Sequence, residues 1–151
     1  MINIIINEEF IELIKEDLLV SSAETAVKLS GITDEIEMSV VIETDQQLRD
    51  LNQRFLDIDA STDVLSFPAD EIDPDSGLRI LGDVIISLPR AIEQAATANE
   101  KLDDELQLLV IHGTLHLLGH DHSNPEEKAK MWHEQQRALD ELGCKITRLP
   151  E

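Results

Sequence analysis

Residues 102–122 read LDDELQLLVIHGTLHLLGHDH, and residues 102–118 form the most apolar helix candidate in the chain. Apolar side chains surround the axis of such a helix, which predicts that it lies at the centre of the fold and is buried on all sides. Acidic residues occupy its first turn, where the helix dipole favours them. Gly119 can adopt a left-handed conformation and therefore predicts the end of the helix.

The same stretch contains histidines whose spacing predicts a metal site. On a helix, residues four apart differ by about 40° in direction and about 6 Å in rise, so His112 and His116 can hold one ion. A reversal of the chain at Gly119 can bring His122 to the third position. Three protein ligands plus one water are typical of a catalytic zinc site, whereas a structural site has four protein ligands. We therefore predict one divalent ion, with zinc as the expected metal.

The alternative to a metal site is a set of ordinary core histidines. One histidine on a buried helix is usually a hydrogen-bonded core residue, and two at four-residue spacing can occur by chance. A third histidine just past a glycine stop favours the metal, because three imidazoles in one apolar region would compete for scarce partners. His133 is expected to be an exposed helix residue.

The histidines lack the glutamate that zinc peptidases place between them. In the pattern His-Glu-x-x-His that glutamate is the general base, but Gly113 and Thr114 fill the middle positions here. The metal itself can lower the pKa of a bound water to about 7. Asp121 is a candidate catalytic residue that assists this water, or else it fixes the tautomer of a ligand histidine. His120 is either a proton donor to the leaving group or a surface residue.

The charge balance argues against a surface that binds nucleic acid as a whole. The chain has 12 basic and 32 acidic residues and a formal charge of −20. Such a surface repels nucleic acid on average, and its simplest role is solubility. An acidic protein can still bind RNA if a few cations converge on one cleft, so the charge disfavours an RNA substrate without excluding it. The candidates in the middle of the chain are Arg54, Arg79, Arg90 and Lys101.

Length and composition narrow the class of protein. A chain of 151 residues suits one domain, spanning residues 1–151. Cys144 is the only cysteine, which excludes an intrachain disulfide and a zinc ribbon. No apolar run approaches the roughly 18 residues needed to span a bilayer, so we expect a cytoplasmic protein without a membrane partner.

Strand and helix patterns are mixed along the chain. Strands are predicted, from β-branched runs and period-two alternation, at residues 2–6, 36–42, 63–68 and 80–87, the third being closed by Pro68. Residues 70–77 then read as an exposed loop. Helices are predicted at residues 8–29, with a break near Ser21 and Ser22, and at residues 89–98 and 102–118. Two more helices are predicted to begin at caps, one at Asp45 and one at Asn124, and Trp132 is expected on the inner face of the last helix. We predict an α+β domain in which a small mixed four-stranded sheet packs with about five helices, with the metal site at the end of the central buried helix.

Three collinear stretches resemble the YbeY family. They are the histidine segment 112–122, the Leu51-Asn52 pair followed by TDVLSFP at residues 62–68, and LGDV at residues 81–84. The resemblance spans nearly the whole chain and implies an α+β domain with zinc at His112, His116 and His122. It also implies a single-strand-specific, metal-dependent endoribonuclease that matures the 16S RNA of the small ribosomal subunit and takes part in ribosome quality control.

The resemblance also concerns partners and substrate contacts. It implies single-stranded and ribosomal RNA and the small ribosomal subunit as partners, with no specificity for DNA. Arg54 and Ser66 are the candidate substrate-binding residues. The family commonly has an arginine, thought to meet phosphate, one position past the aromatic residue of the Leu-Asn stretch. Here Leu56 follows Phe55, so this contact is made elsewhere or this member works differently.

Two other functions remain open from the sequence. The same site could serve a metallohydrolase acting on a peptide or small ester, although the missing zincin glutamate disfavours a peptidase. Alternatively, the chain could be a ribosome assembly factor with a purely structural metal. A fourth protein ligand, such as His120, would favour that reading because it would leave no position for water.

Overall fold

The computed structural model describes residues 1–146 and contains four strands in one mixed sheet. The strands are β1 (Ile2–Ile6), β2 (Ile36–Glu43), β3 (Val64–Ile72) and β4 (Arg79–Ser87). Their order in the sheet is β1-β2-β4-β3. β1 and β4 run parallel to β2, whereas β3 runs antiparallel to β4 and lies at an edge.

The helices pack around this sheet. They are a 3₁₀ helix (Glu8–Leu13), α1 (Glu16–Leu29), α2 (Asp45–Leu56), α3 (Leu88–Thr97), α4 (Leu102–Leu117) and α5 (Pro125–Glu141). The predicted α+β class and the mixed four-stranded sheet are confirmed. No helix within residues 1–146 combines the length and the apolar character needed to cross a membrane.

The helix α4 is the centre of the core, as its all-round apolar sequence predicts. One side packs on the sheet, where Leu109 and Val110 join Val84 of β4 in one buried cluster. The opposite side packs on α5, where Ile111 contacts the cluster that includes Leu139. The last turns of α4 are therefore packed between the sheet and a second helix, which fixes the position of their backbone.

The break in the first helical region lies earlier than predicted. The 3₁₀ helix ends at Leu13, Ile14 is extended, and α1 begins at Glu16. Ser21 and Ser22 lie inside α1, where each hydroxyl donates to the carbonyl four residues earlier at 2.8 Å. These bonds satisfy the hydroxyls without interrupting the helix, so the prediction of a break at the two serines was wrong.

Pro68 does not close the third strand. β3 continues to Ile72, and its register against β4 is irregular between Pro68 and Glu71. Proline is tolerated on an edge strand and at a bulge because no ladder hydrogen bond needs its missing N–H there. The predicted loop at residues 70–77 is therefore largely a hairpin turn that begins after Ile72.

Two assignments of single residues were also wrong. The cap of α2 is Thr44, whose hydroxyl accepts a hydrogen bond from the backbone of Gln47 at 3.2 Å, and Asp45 is the first helical residue. Trp132 is 38% exposed rather than buried. The inner face of α5 consists of Met131, Gln135, Ala138 and Leu139.

Candidate metal centre

The three predicted ligand histidines converge at the end of α4. The Nε2 atoms of His112 and His116 lie 3.1 Å apart. Gly119, with a φ of 98°, ends the helix and turns the chain back toward it. The ring of His122 then lies 5.6 Å from that of His112 and 5.2 Å from that of His116, measured between centroids. One ring nitrogen from each histidine lies within 4.8 Å of the other two.

This arrangement fits a divalent ion. Two nitrogens bound about 2.0–2.1 Å from a tetrahedral zinc ion are separated by roughly 3.3 Å. The distance between the ring nitrogens of His112 and His116 is 3.1 Å. Imidazole nitrogens suit zinc and several other first-row transition metals. The described residues therefore hold a cluster that could bind a metal, at the place that the sequence predicts.

The surroundings keep two of these histidines neutral. Burial, reinforced by the neighbouring His116, lowers the pKa of His112 to about 3. Burial and the charge of His122 also lower the pKa of His116, although a hydrogen bond to the backbone of His120 opposes the shift. Only the neutral imidazole can give a lone pair to a metal, so both rings are in the required form at neutral pH.

A buried glutamine on α5 contacts the cluster from behind. The Oε1 atom of Gln135 lies 3.2 Å from Nδ1 of His112, and each residue is 2% exposed. Gln135 was not among the residues predicted from the sequence. A signal was present, because Gln135 falls at helical spacing between Met131 and Leu139 and is the polar member of an otherwise apolar face.

The histidines line a cleft whose other wall is the edge strand β3. The cleft has a volume of about 280 Å³ and is lined by Val64, Leu65, Ser66, Pro68, His112, His116 and His122. The ligand cluster is thus accessible from outside. The TDVLSFP motif provides the facing wall, and Ser66, the predicted substrate-binding residue within it, lines the cleft.

Ser66 links this wall to α4. Its hydroxyl donates a hydrogen bond to the carbonyl of Gly113 at 3.0 Å. The glycine allows the approach, because a Cβ atom at position 113 would lie 2.5 Å from Cγ1 of Val84 and 3.2 Å from Oγ of Ser66. The glycine between His112 and His116 therefore sets how close the ligand helix lies to the sheet.

The two predicted catalytic residues, Asp121 and His120, lie in the segment between α4 and α5. The carboxylate of Asp121 accepts a hydrogen bond from the backbone N–H of His122 at 2.7 Å. Hydrogen bonds, first from Ser123 and then from this N–H, lower the pKa of Asp121. His120 lines a separate depression with residues that include Lys130 and His133. Within residues 1–146, neither side chain is part of the cleft lining that the histidines share with β3.

None of the four predicted cations, Arg54, Arg79, Arg90 and Lys101, is among the residues that line the cleft. The Arg54 guanidinium lies 5.9 Å from the centroid of the Phe55 ring, which in turn contacts the Phe67 ring at 5.5 Å. Side chains alternate across a strand, so Phe67 lies on the opposite face of β3 from Ser66. Two of the other candidates are in ion pairs, namely Arg79 with Asp70 at 3.1 Å and Arg90 with Asp45 at 3.2 Å.

Comparison with known proteins identifies the family and agrees with the fold. The family model described as Endoribonuclease YbeY matches residues 4–143. The Endoribonuclease YbeY of Mycobacterium sp. (strain KMS) is 37% identical over 142 residues, covering 89% of this chain and 80% of that protein. Its counterpart from Nocardia farcinica is 39% identical over 144 residues, covering 91% and 78% respectively. A solution structure of a Thermotoga maritima protein has a TM-score of 0.63 at 29% identity and covers 94% of this chain and 89% of that one. The chain belongs to the YbeY family.

Proposed function

We propose that this chain is a metal-dependent endoribonuclease that cleaves single-stranded RNA, with one divalent ion, most simply zinc, held by His112, His116 and His122. The observation that carries the proposal is the convergence of three imidazoles in an open cleft. Three protein ligands leave one position for water, as in catalytic zinc sites. The names of the relatives supply the substrate class, because several are called endoribonucleases.

The chain's own residues provide a rigid site for this chemistry. A bound divalent ion would lower the pKa of a water at the open position and offset negative charge on the phosphodiester. His112 and His116 are fixed by the packing of α4 between the sheet and α5. His122 lies in the turn after α4, and the ionised carboxylate of Asp121 holds the backbone of that turn. We therefore propose that Asp121 positions a ligand rather than acting as the general base.

Ser66 is proposed to contact the substrate as a hydrogen-bond acceptor. Its proton is donated to Gly113, so the remaining capacity of the hydroxyl faces the cleft as lone pairs. An ionised phosphate offers no donor to such a group, whereas the ribose 2′-hydroxyl does. Contact with the ribose would favour RNA over DNA, in agreement with the expected lack of DNA specificity.

Arg54 is proposed to bind RNA outside the cleft. It lies beside Phe55, whose side chain is 59% exposed. Exposed aromatic rings stack on unpaired bases, and arginine adds attraction for the backbone. This surface would meet nucleotides that flank the cleavage position. His120 lines a separate depression. It would serve as the proton donor to the leaving group only if its side chain turned toward the cleft.

The biological setting is proposed on the family resemblance. We propose the 16S RNA of the small ribosomal subunit as the substrate, its maturation and quality control as the role, the small subunit as the partner and the cytoplasm as the location. We also propose that residues 1–151 form a single domain, of which residues 147–151 lie outside the part that the structure describes.

A side-by-side digestion separates this proposal from its alternatives. Single-stranded RNA and casein are each incubated with the protein, with and without a chelator, and with His116→Ala and His133→Ala variants. We expect cleavage of RNA only, lost with chelator and in His116→Ala but retained in the exposed control His133→Ala. Cleavage of casein would indicate another metallohydrolase. Metal binding without any cleavage would indicate an assembly factor with a structural metal. Such a metal needs a fourth protein ligand, and the ligand cluster within residues 1–146 comprises three histidines and does not include His120.

A further inference from the structure

One polar side chain interrupts the apolar face that α5 turns toward α4. Gln135 lies on this face with Met131, Ala138 and Leu139 and is 2% exposed. Burying an amide is costly unless it makes hydrogen bonds. Its Oε1 atom lies 3.2 Å from Nδ1 of His112, which is the ring nitrogen pointing away from the cluster. The amide therefore lies where it can control the ligand ring.

The chemistry of this contact determines where the His112 proton resides. An amide oxygen can only accept a hydrogen bond, so Nδ1 of His112 must donate. A neutral imidazole carries a single N–H, and Nε2 is then left with its lone pair. That Nε2 atom is the one 3.1 Å from Nε2 of His116. Without the glutamine, the proton could reside on either nitrogen, and the ring could rotate.

We propose that Gln135 is a positioning residue of the metal site, which holds the His112 imidazole in the orientation and tautomer that present Nε2 to the ion. The inference rests on the proposed metal site and adds a residue to it. Groups behind the ligands of a metal commonly change its affinity by 10- to 100-fold when they are mutated. A carbonyl behind a ligand imidazole acts in this way because it fixes the ring and increases the basicity of the coordinating nitrogen.

The contact also couples α5 to the ligands at two points. His122 lies just before the first turn of α5, which begins at Pro125, and Gln135 contacts His112 further along the same helix. Displacement of α5 would therefore disturb two ligands together. The cleft beside β3 leaves the site open to the outside, whereas α5 holds the ligand residues in place on the other side.

The test compares three variants of the full-length protein. Gln135→Met keeps a similar volume but removes the acceptor, Gln135→Glu keeps an acceptor, and Gln136→Met makes the same change at a neighbouring glutamine that bonds to Asp140. Zinc dissociation constants are measured by competition with a chromophoric chelator. We expect Gln135→Met to bind zinc roughly 10- to 100-fold more weakly, and both other variants to bind it no more weakly than wild type.

A nitrogen-15 NMR spectrum of the imidazoles supplies a readout that a merely structural role would not move. In metal-free wild type and Gln135→Glu, the proton of neutral His112 should reside on Nδ1, whereas in Gln135→Met it should redistribute toward Nε2. Unchanged zinc affinity and tautomer in a folded Gln135→Met would overturn the inference. If Gln135→Met does not fold, a wild-type His112 protonated on Nε2, or much weaker zinc binding by Gln135→Glu, would overturn it instead.

Failure of the metal site itself would look different. A wild-type protein that binds no zinc would contradict the proposed function, while the position of the His112 proton would still decide whether Gln135 controls the ring. Proton on Nδ1 in wild type and on Nε2 in Gln135→Met would then support the positioning role alone.

Discussion

The Nε2 atoms of His112 and His116 lie 3.1 Å apart, on successive turns of a helix that is buried almost throughout. Two neutral imidazoles that face each other so closely can share only one proton, and that bond does not account for the approach of the His122 ring to both of them. A cation between the three nitrogens gives each lone pair a partner. The spacing is therefore better explained by a metal than by hydrogen bonding alone.

Metal removal should destabilise the fold. A ligand that binds only the native state adds about 2.7 kcal/mol to the free energy of unfolding when its free concentration is a hundred times its dissociation constant. We expect the melting temperature to fall when a chelator is added. His112→Ala should lose both the ion and this metal-dependent increment, whereas His133→Ala should keep both. Superimposable wild-type melting curves with and without zinc would contradict this prediction.

Gly113→Ala should move the ligand helix away from the sheet. The new methyl group would lie 2.5 Å from Cγ1 of Val84, and overpacking of this kind costs about 1–3 kcal/mol of stability. Because His112 and His116 flank the glycine, zinc binding should weaken as well. Denaturant unfolding and zinc titration of the variant measure both effects.

A second substitution checks the cause of that loss. Val84→Ala removes the two methyl groups that the new Cβ would meet. The double variant Gly113→Ala/Val84→Ala should therefore be less destabilised than the sum of the two single variants. Strict additivity of the two losses would show that the contact with Val84 is not what makes glycine necessary.

Leu56→Arg should increase the rate of RNA cleavage. The family resemblance implies that an arginine is common at this position, and Leu56 is 51% exposed, so a longer side chain fits without repacking. Arginine can make two charge-assisted hydrogen bonds to phosphate. One such contact is worth roughly 1.5–3 kcal/mol, or about 10- to 150-fold in rate. Cleavage of one labelled oligonucleotide by wild type and Leu56→Arg, with Leu56→Gln as the uncharged control, measures the gain.

Arg54 is not expected to substitute for that arginine. Both positions lie within α2, and residues two apart on a helix point about 200° away from each other. Arg54→Ala should therefore reduce binding of RNA without abolishing cleavage. If Arg54→Ala abolishes cleavage while Leu56→Arg brings no gain, Arg54 supplies the phosphate contact.

Asp45→Asn should destabilise the protein at neutral pH but not in acid. Burial would raise the pKa of Asp45, but hydrogen bonds from Ser61, Arg90 and Ser87 outweigh it and lower the pKa below 3.8. The folded state therefore binds the proton less readily than the unfolded state. The stabilisation is present above pH 3.8 and is lost as the pH falls through the folded-state pKa.

The measurement is the free energy of unfolding of wild type and Asp45→Asn at several pH values in the presence of a chelator. Because the carboxylate is partly exposed, the loss at pH 7 should be only about 0.5–1 kcal/mol. The difference should shrink toward pH 3. A difference that is the same at all pH values would show that the charge of Asp45 is not responsible.

The parts of the site that the sequence predicts are those fixed by local geometry. The four-residue spacing of His112 and His116 translates directly into a shared helix face, and Gly119 marks the reversal that returns His122. The central position of α4 likewise follows from its continuous apolar composition. Such features depend on neighbours in the chain and need no knowledge of the tertiary fold.

The parts that were missed depend on contacts between distant segments. The bond between Gln135 and His112 joins α5 to α4, and the bond between Ser66 and Gly113 joins β3 to α4. The sequence shows that Gln135 is a polar residue on an apolar helix face, but it does not show which residue Gln135 or Ser66 pairs with. The continuation of β3 beyond Pro68 could not be foreseen either, because a proline ends a central strand but is tolerated at the edge of a sheet.

The proposal that this protein is a metal-dependent endoribonuclease is tested most directly by restoring zinc to chelator-treated protein. The measurement is the rate at which the protein cleaves a labelled single-stranded RNA as the zinc concentration rises. We predict that activity returns and saturates at about one zinc ion per chain, that His116→Ala stays inactive at every zinc concentration, and that His133→Ala follows wild type. Cleavage that survives complete removal of metal, or a His116→Ala variant as fast as wild type, would contradict the account.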